Sequence, residues 1–211
     1  MKDFSRLSFR NVKWRFSNQI AITSKTGTGS TTLLELLQAT LGPQYSYLSG
    51  GRFMRDLQEE YGFPTIESFI DYNRRHPEAL FDPMCDQRTR EEGKKNNLIL
   101  EARLAHIFMP YAFKVLLRCP IQKRADRRAH DNNKPFEKVL PIMLDRDIAD
   151  AMRFDEFYPG WNWGPEDYDY WIDTGVNSKE ETLRNVLRAH QMWLQKPSTK
   201  KYLIGDLEMA A

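Results

Sequence analysis

Three groups of residues in this 211-residue chain have the types and spacing for phosphate chemistry. The first is Ser24-Lys25-Thr26-Gly27-Thr28-Gly29-Ser30-Thr31-Thr32. Glycines at 27 and 29 free the backbone to curl, so that successive amides from Thr26 to Thr32 can face one anion at a helix N-terminus. Thr31 stands where the hydroxyl of G-x-x-x-x-G-K-[ST] ligates Mg²⁺. Two positions depart from that pattern: Ser24 stands at its first glycine and Ser30 at its lysine. The lysine stabilises charge on the β- and γ-phosphates, so its loss removes an electrostatic contribution to rate. Lys25, the second residue of the loop, is the candidate substitute. The same letters also describe a plain turn, and the rest of the chain must decide between the two.

The second group is Asp145-Arg146-Asp147-Ile148-Ala149-Asp150-Ala151-Met152-Arg153. Arg146, Asp150 and Arg153 are spaced four and three apart, which puts them on one face of a helix. Two guanidiniums beside a carboxylate can clamp a moving phosphoryl group, because the planar fork bonds phosphate oxygens in pairs and stays charged. On an isolated helix the same spacing is more often an exposed ladder of ion pairs. The third group is a set of arginines scattered between the first two: Arg55 in Ser49-Gly50-Gly51-Arg52-Phe53-Met54-Arg55, Arg103 in Leu100-Glu101-Ala102-Arg103, and Arg124 and Arg128 in Arg124-Ala125-Asp126-Arg127-Arg128.

Positioning these groups requires a rigid frame. Ile20-Ala21-Ile22-Thr23 predicts a short buried strand, followed by the glycine loop and a helix with Leu33, Leu34, Leu37 and Leu41 on one side. Tyr45 to Leu48 predicts a second strand, with a helix over about 51–61. Residues 65–93 read as helical with breaks near Pro77 and Pro83. Asn97 to Leu100 and Phe113 to Leu117 are further apolar strands, and helices follow at about 121–130 and 135–157. Tyr170-Trp171-Ile172 is the last strand. Ser178 and Glu181 have capping-box spacing, and Leu183, Val186, Leu187, His190 and Trp193 then form a buried stripe, with His190 at the edge of the core rather than a ligand. Short apolar strands alternating with helices predict a parallel sheet covered on both faces, an α/β fold.

Composition sets the limits. The length suits one domain over 1–211, with no linker or repeat, and a core of about 18–194. A net charge of +2 gives no bulk attraction to a nucleic acid polymer or a membrane surface. No apolar run is long enough to span a membrane. Cys85 and Cys119 are the only cysteines, which excludes a disulfide framework and fits a reducing compartment. Residues 1–17 hold five Lys or Arg against one Asp, a faintly transit-peptide-like composition. The alternation of Val12, Trp14 and Phe16 with Lys13 and Arg15 instead predicts a half-buried strand, so the cytoplasm is the expected location.

From about residue 20 to 192 the order and spacing of these groups resemble the cytidylate kinase-like family of P-loop nucleoside monophosphate kinases. The resemblance is carried by the glycine loop, by 49–55, by Leu100-Glu101-Ala102-Arg103, by the 124–128 arginine cluster and by 145–153, which is similar to E-R-D-x-x-D-x-x-R. It implies a three-layer P-loop fold with a helical monophosphate-binding insertion at about 51–95 and a lid at about 129–146. It implies that Arg55 and Arg103 hold the acceptor phosphate, that Asp150 contacts a cytidine-type acceptor, and that Arg146 and Arg153 stabilise the transition state. Arg124 and Arg128 would face the donor nucleotide, and Glu101 a water on Mg²⁺. Lys25 lies where the deviant Walker-A ATPases carry their extra lysine. Ala102 in place of the motif's glycine is a departure, as are Ala151 in place of an arginine and Leu104 in place of an acid of the bacterial form, although other branches of the family have an apolar residue at the last position.

The partners implied are ATP with Mg²⁺ and a nucleoside monophosphate, CMP first. Two other readings stay open on the sequence: a nucleotide-binding protein without catalysis, suggested by Ser30, and a small-molecule kinase on the same fold. Neither composition nor motif fixes the oligomeric state.

Overall fold

The computed structural model describes residues 14–15, 19–161, 164–195 and 200–201. Of the alternating segment at 12–16, Trp14–Arg15 is a two-residue strand, β1, and Val12, Lys13 and Phe16 lie outside the described residues. The frame of the molecule is a five-stranded sheet of β2 (Ile20–Ser24), β3 (Ser46–Ser49), β4 (Leu98–Ala102), β5 (Phe113–Arg118) and β6 (Tyr170–Asp173). Its order is β3-β4-β2-β5-β6 and every pairing is parallel. A second parallel pair joins β1 to β7 (Lys200–Lys201).

Eight α-helices are described: α1 (Ser30–Leu41), α2 (Gly50–Glu60), α3 (Ile66–Arg75), α4 (Phe81–Glu92), α5 (Ala105–Phe108), α6 (Ile121–Asp131), α7 (Phe136–Phe157) and α8 (Lys179–Leu194). Alternation along each strand sends side chains to two different layers. Ala21, Leu48, Leu98 and Leu100 meet Phe53 and Leu57 of α2, Phe69 of α3 and Phe81 of α4. Ile20, Ile22, Ile99, Val115, Leu117 and Ile172 meet Leu33 and Leu37 of α1 and Val186 and Trp193 of α8. Both faces of the sheet are therefore covered, which is why β2, in its middle, is buried at all five residues. Among the described residues no helix is long and apolar enough to cross a membrane.

The sequence reading of 65–93 differs from the structure in one detail. The break falls at Pro77–Ala79, a 3₁₀ turn, and at Leu80, whose φ of 57° lies in the left-handed region. Pro83 breaks nothing, because it sits in the first turn of α4, where no intrahelical bond needs its missing N–H. His190 is buried, with its ring 5.2 Å from that of Phe113. The capping box at Ser178 and Glu181 is formed. In the segment after α7, Trp161 packs edge-on against Phe154, with ring centroids 5.1 Å apart. Asn162 and Trp163 lie outside the described residues.

Helices α6 and α7 pack as a hairpin. Ala125 and Ala129 of α6 are small enough to admit Val139 and Met143 of α7. This packing returns α7 across the carboxyl end of the sheet and brings residues 145–153 to the glycine loop.

Candidate active site

The glycine loop leaves the carboxyl end of β2 and enters α1. Gly27 and Gly29 take φ values of 81° and 87°, the left-handed region that side chains avoid. A Cβ on Gly27 would meet the Arg124 carbonyl oxygen at 2.8 Å, so α6 packs directly against the loop. Gly29 is the N-cap of α1 and no side chain caps the helix. The first-turn amides and the positive end of the helix dipole are thus left for an anion. Thr31 and Thr32 are exposed on that first turn.

Three arginines hold the loop from the other side, and Lys25 of the loop itself reaches out to α7. Arg124 is buried at the start of α6. Its guanidinium donates to the carbonyls of Cys119 (3.2 Å) and Thr26 (3.1 Å) and to both oxygens of Asp147 on α7 (2.5 and 3.3 Å). Lys25 Nζ lies 3.3 Å from Asp147 Oδ2. Arg103 Nη2 donates to Thr26 Oγ1 at 2.6 Å, and Nη1 lies 3.0 Å from Asp150 Oδ2. That second contact is an attraction of charges rather than an aligned hydrogen bond. Arg127 reaches the Gly27 carbonyl at 3.4 Å and the Thr174 carbonyl at 2.6 Å. Thr174 Oγ1 in turn donates to the Thr28 carbonyl at 2.7 Å.

The site's carboxylates are shared between elements. Burial alone would raise the Asp147 carboxyl, but the hydrogen bond and charge of Arg124 and the charge of Lys25 hold it below the usual carboxylate range. Burial pulls the Arg103 guanidinium below its ordinary value, and Asp150 opposes that shift. Arg153 pairs with Asp82 of α4 and lies 3.8 Å from Asp150 Oδ1. Asp82 also accepts from Asn73 of α3 at 3.2 Å. Next along α4, Asp86 accepts from the Tyr158 hydroxyl, and burial pushes its carboxyl up to about 6.

Glu101, at the end of β4, accepts from three serine hydroxyls: Ser24 (2.9 Å) and Ser30 (3.0 Å) on Oε1, and Ser49 (2.9 Å) on Oε2. The two loop positions that depart from the usual pattern therefore serve one carboxylate. Carboxylate and hydroxyl oxygens are hard donors, of the kind that suits Mg²⁺ rather than a soft metal. A cavity of about 530 Å³ borders the loop beside Lys25 and Arg124, with Trp171 and Arg118 on its wall.

The sequence-predicted residues fall into two sets. Lys25, Thr26, Arg103, Arg124, Asp150 and Arg153 converge in one network with the loop. Arg146 is exposed on α7, and Arg55 is exposed on α2 with its Nη1 next to Gly51. Arg128 is half-buried and takes no part in the network, where Arg127 stands instead. Sequence reasoning left Asp147, Arg127, Asp82 and Asp86 without roles. Asp147 lay within the quoted 145–153 segment, and Arg127 follows Arg124 by three, on the same helix face. The pairing of Asp82 with Arg153 has no local signature.

A strand, a glycine loop and a helix at the carboxyl end of a parallel sheet, ringed by arginines, define a P-loop fold of the kinase type. Residues 20–140 match the AAA domain family. The chain is 33% identical over 143 residues to a cytidylate kinase of Haloarcula marismortui, covering 66% of this chain and 71% of that protein. It is 30% identical over 171 residues to a cytidylate kinase of Pyrococcus abyssi, covering 81% and 92%. The fold is that of a shikimate kinase from Acinetobacter baumannii, with a TM-score of 0.54 over 85% of this chain and 96% of that one, at 16% identity. This chain belongs to the cytidylate kinase-like family of P-loop nucleoside monophosphate kinases.

Proposed function

We propose that this protein transfers the γ-phosphoryl group of ATP to a nucleoside monophosphate, with CMP or dCMP the first candidates. The observation that carries the reading is one network: Arg103 and Arg124 both grip Thr26 of the loop, Asp147 joins Arg124 to Lys25, and Asp150 joins Arg103 to Arg153. An oxygen of the acceptor phosphate attacks the γ-phosphorus in line, the bond to the β-phosphate oxygen breaks, and ADP leaves. The attacking oxygen is already ionised, so no general base is needed, and catalysis comes from positioning and charge.

In this reading the loop amides and Lys25 seat the donor phosphates. Arg55 and Arg103 hold the acceptor phosphate, Asp150 contacts the acceptor, and Arg146 and Arg153 stabilise the charge of the transition state. Arg124 is too buried to move and keeps the loop in shape, and Arg127 borders the donor side. Thr31, and Glu101 through water, would hold Mg²⁺. When bound, the ion neutralises charge on the donor's phosphate oxygens. The insertion at 51–95 would close over the acceptor through the Asp82–Arg153 contact, and the 129–146 lid over the donor.

The replacement of the loop lysine by Ser30, bonded to Glu101, favours a second reading: a nucleotide-binding protein without turnover. A coupled ADP-release assay with Mg-ATP and each of CMP, dCMP, UMP and AMP separates the two. The kinase reading expects turnover with at least one acceptor, falling about 100-fold or more in Lys25→Ala and Arg153→Ala. ATP binding with no turnover on any acceptor would establish the second reading. Turnover only on a non-nucleotide alcohol would make it a small-molecule kinase.

A further inference from the structure

The carboxylate of Asp147 is shared by two cations that are not equally fixed. Arg124 gives it two hydrogen bonds and also bonds the Cys119 and Thr26 carbonyls, with only 4% of its side chain exposed. Withdrawing Arg124 would strand a buried charge. Lys25 keeps 34% of its side chain exposed, and its four-carbon stem lets the ammonium swing. When Lys25 leaves, Asp147 still has the Arg124 fork. Lys25 is therefore the exchangeable partner, and it lies in the loop that would seat the donor.

We propose, on the kinase reading above, that Asp147 is a positioning residue that parks Lys25 beside the loop and yields it to the donor's phosphates on binding. The ammonium then serves the position that Ser30 leaves without charge. The exchange also removes one tie between the loop and α7, the helix that carries Arg146 and Arg153. Donor binding and the freedom of α7 become linked through this ion pair, while Arg124 and Arg103 keep their own ties between Thr26 and the helix.

The test is ATP binding by calorimetry, without acceptor, to the wild-type chain, Asp147→Asn, Lys25→Met and the double variant. Asp147→Asn is expected to bind ATP about two- to fivefold tighter, because a half-exposed ion pair no longer competes. The gain should shrink by at least about twofold when Lys25 is already Met, the mark of coupled residues. An equal gain in both backgrounds would show that Asp147 serves Arg124 alone, overturning the proposal and leaving the kinase reading intact. No ATP binding by the wild type would overturn both.

A second measurement does not depend on the variant folding. A carbodiimide activates the Asp147 carboxyl, Lys25 Nζ attacks it, and an amide forms as the reagent leaves as its urea. Peptide mass analysis should find this Lys25–Asp147 amide without nucleotide and lose it at saturating ATP. Its absence without nucleotide, or its persistence with ATP, would overturn the exchange.

Discussion

Ser24, Ser30 and Ser49 all point their hydroxyls at Glu101, and each hydrogen bond is within 2.9–3.0 Å. A carboxylate can accept all three, whereas an amide offers one accepting atom and a donor. Glu101→Gln should therefore cost about 1–3 kcal/mol of stability, measured by urea unfolding, because at least one serine faces an N–H. Where the usual loop lysine has been replaced, a charge can also be put back. Ser30→Lys made in Lys25→Ala should recover at least about tenfold of the lost turnover, if a cation at the phosphates is what that variant lacks. No recovery in the ADP-release assay would mean that the location of Lys25, rather than its charge, is required.

At the scale of elements, the loop's shape depends on backbone that only glycine adopts freely. Gly27→Ala combines a φ of 81° with a Cβ 2.8 Å from a backbone oxygen of α6, which has no room to yield. The left-handed conformation alone costs about 1–2 kcal/mol. The variant should melt measurably lower in a thermal scan and lose ATP affinity together. After the edge strand β6, α8 begins with Ser178 accepting from the Glu181 amide at 3.1 Å. Ser178→Ala should cost about 1 kcal/mol in denaturant unfolding, with turnover unchanged. The two helix starts make a contrast: α8 is capped by its own side chains, and α1 is left open where a ligand would bind.

For the whole molecule, two buried groups give stability opposite dependences on pH. His106 lies 3.1 Å from both Thr23 Oγ1 and the Tyr168 hydroxyl, and burial pushes its ring from 6.5 down to about 3. The unfolded chain protonates this ring below 6.5 and the fold refuses the proton, so its contribution is lost as pH falls from about 6.5 to 3. Asp86 is the reverse, since burial raises it from 3.8 to about 6. The fold keeps a proton that the unfolded chain releases, so stability is lost as pH rises from about 4 to 6. Between pH 4 and 6 the two slopes oppose each other, each at most about 1.4 kcal/mol per pH unit. Below about 4 only losses remain, with Asp147 adding to them as its depressed carboxyl protonates. Urea unfolding across this range should give a plateau from pH 4 to 6 and a steep fall beneath it. Asp86→Asn should turn the plateau into a rise with pH.

How much of this was legible beforehand depends on the distance over which each feature is decided. The five strands of the sheet, the glycine loop, the capping box and the helix that carries Arg146, Asp150 and Arg153 follow from patterns within a few residues, and sequence locates them to within about two positions. The chain also carried, in the order of its arginine segments, the mark of its family. What it did not carry were the partners. Arg153 and Asp82 are 71 residues apart, and Arg127 and Gly27 are 100 apart. Lys25 meets Asp147 only because Ala125 and Ala129 let α7 fold back along α6. Local periodicity fixes which face a side chain takes. Only the packing of the sheet and its helices decides what that face meets, because ion pairs form across whatever gap the core's closure leaves.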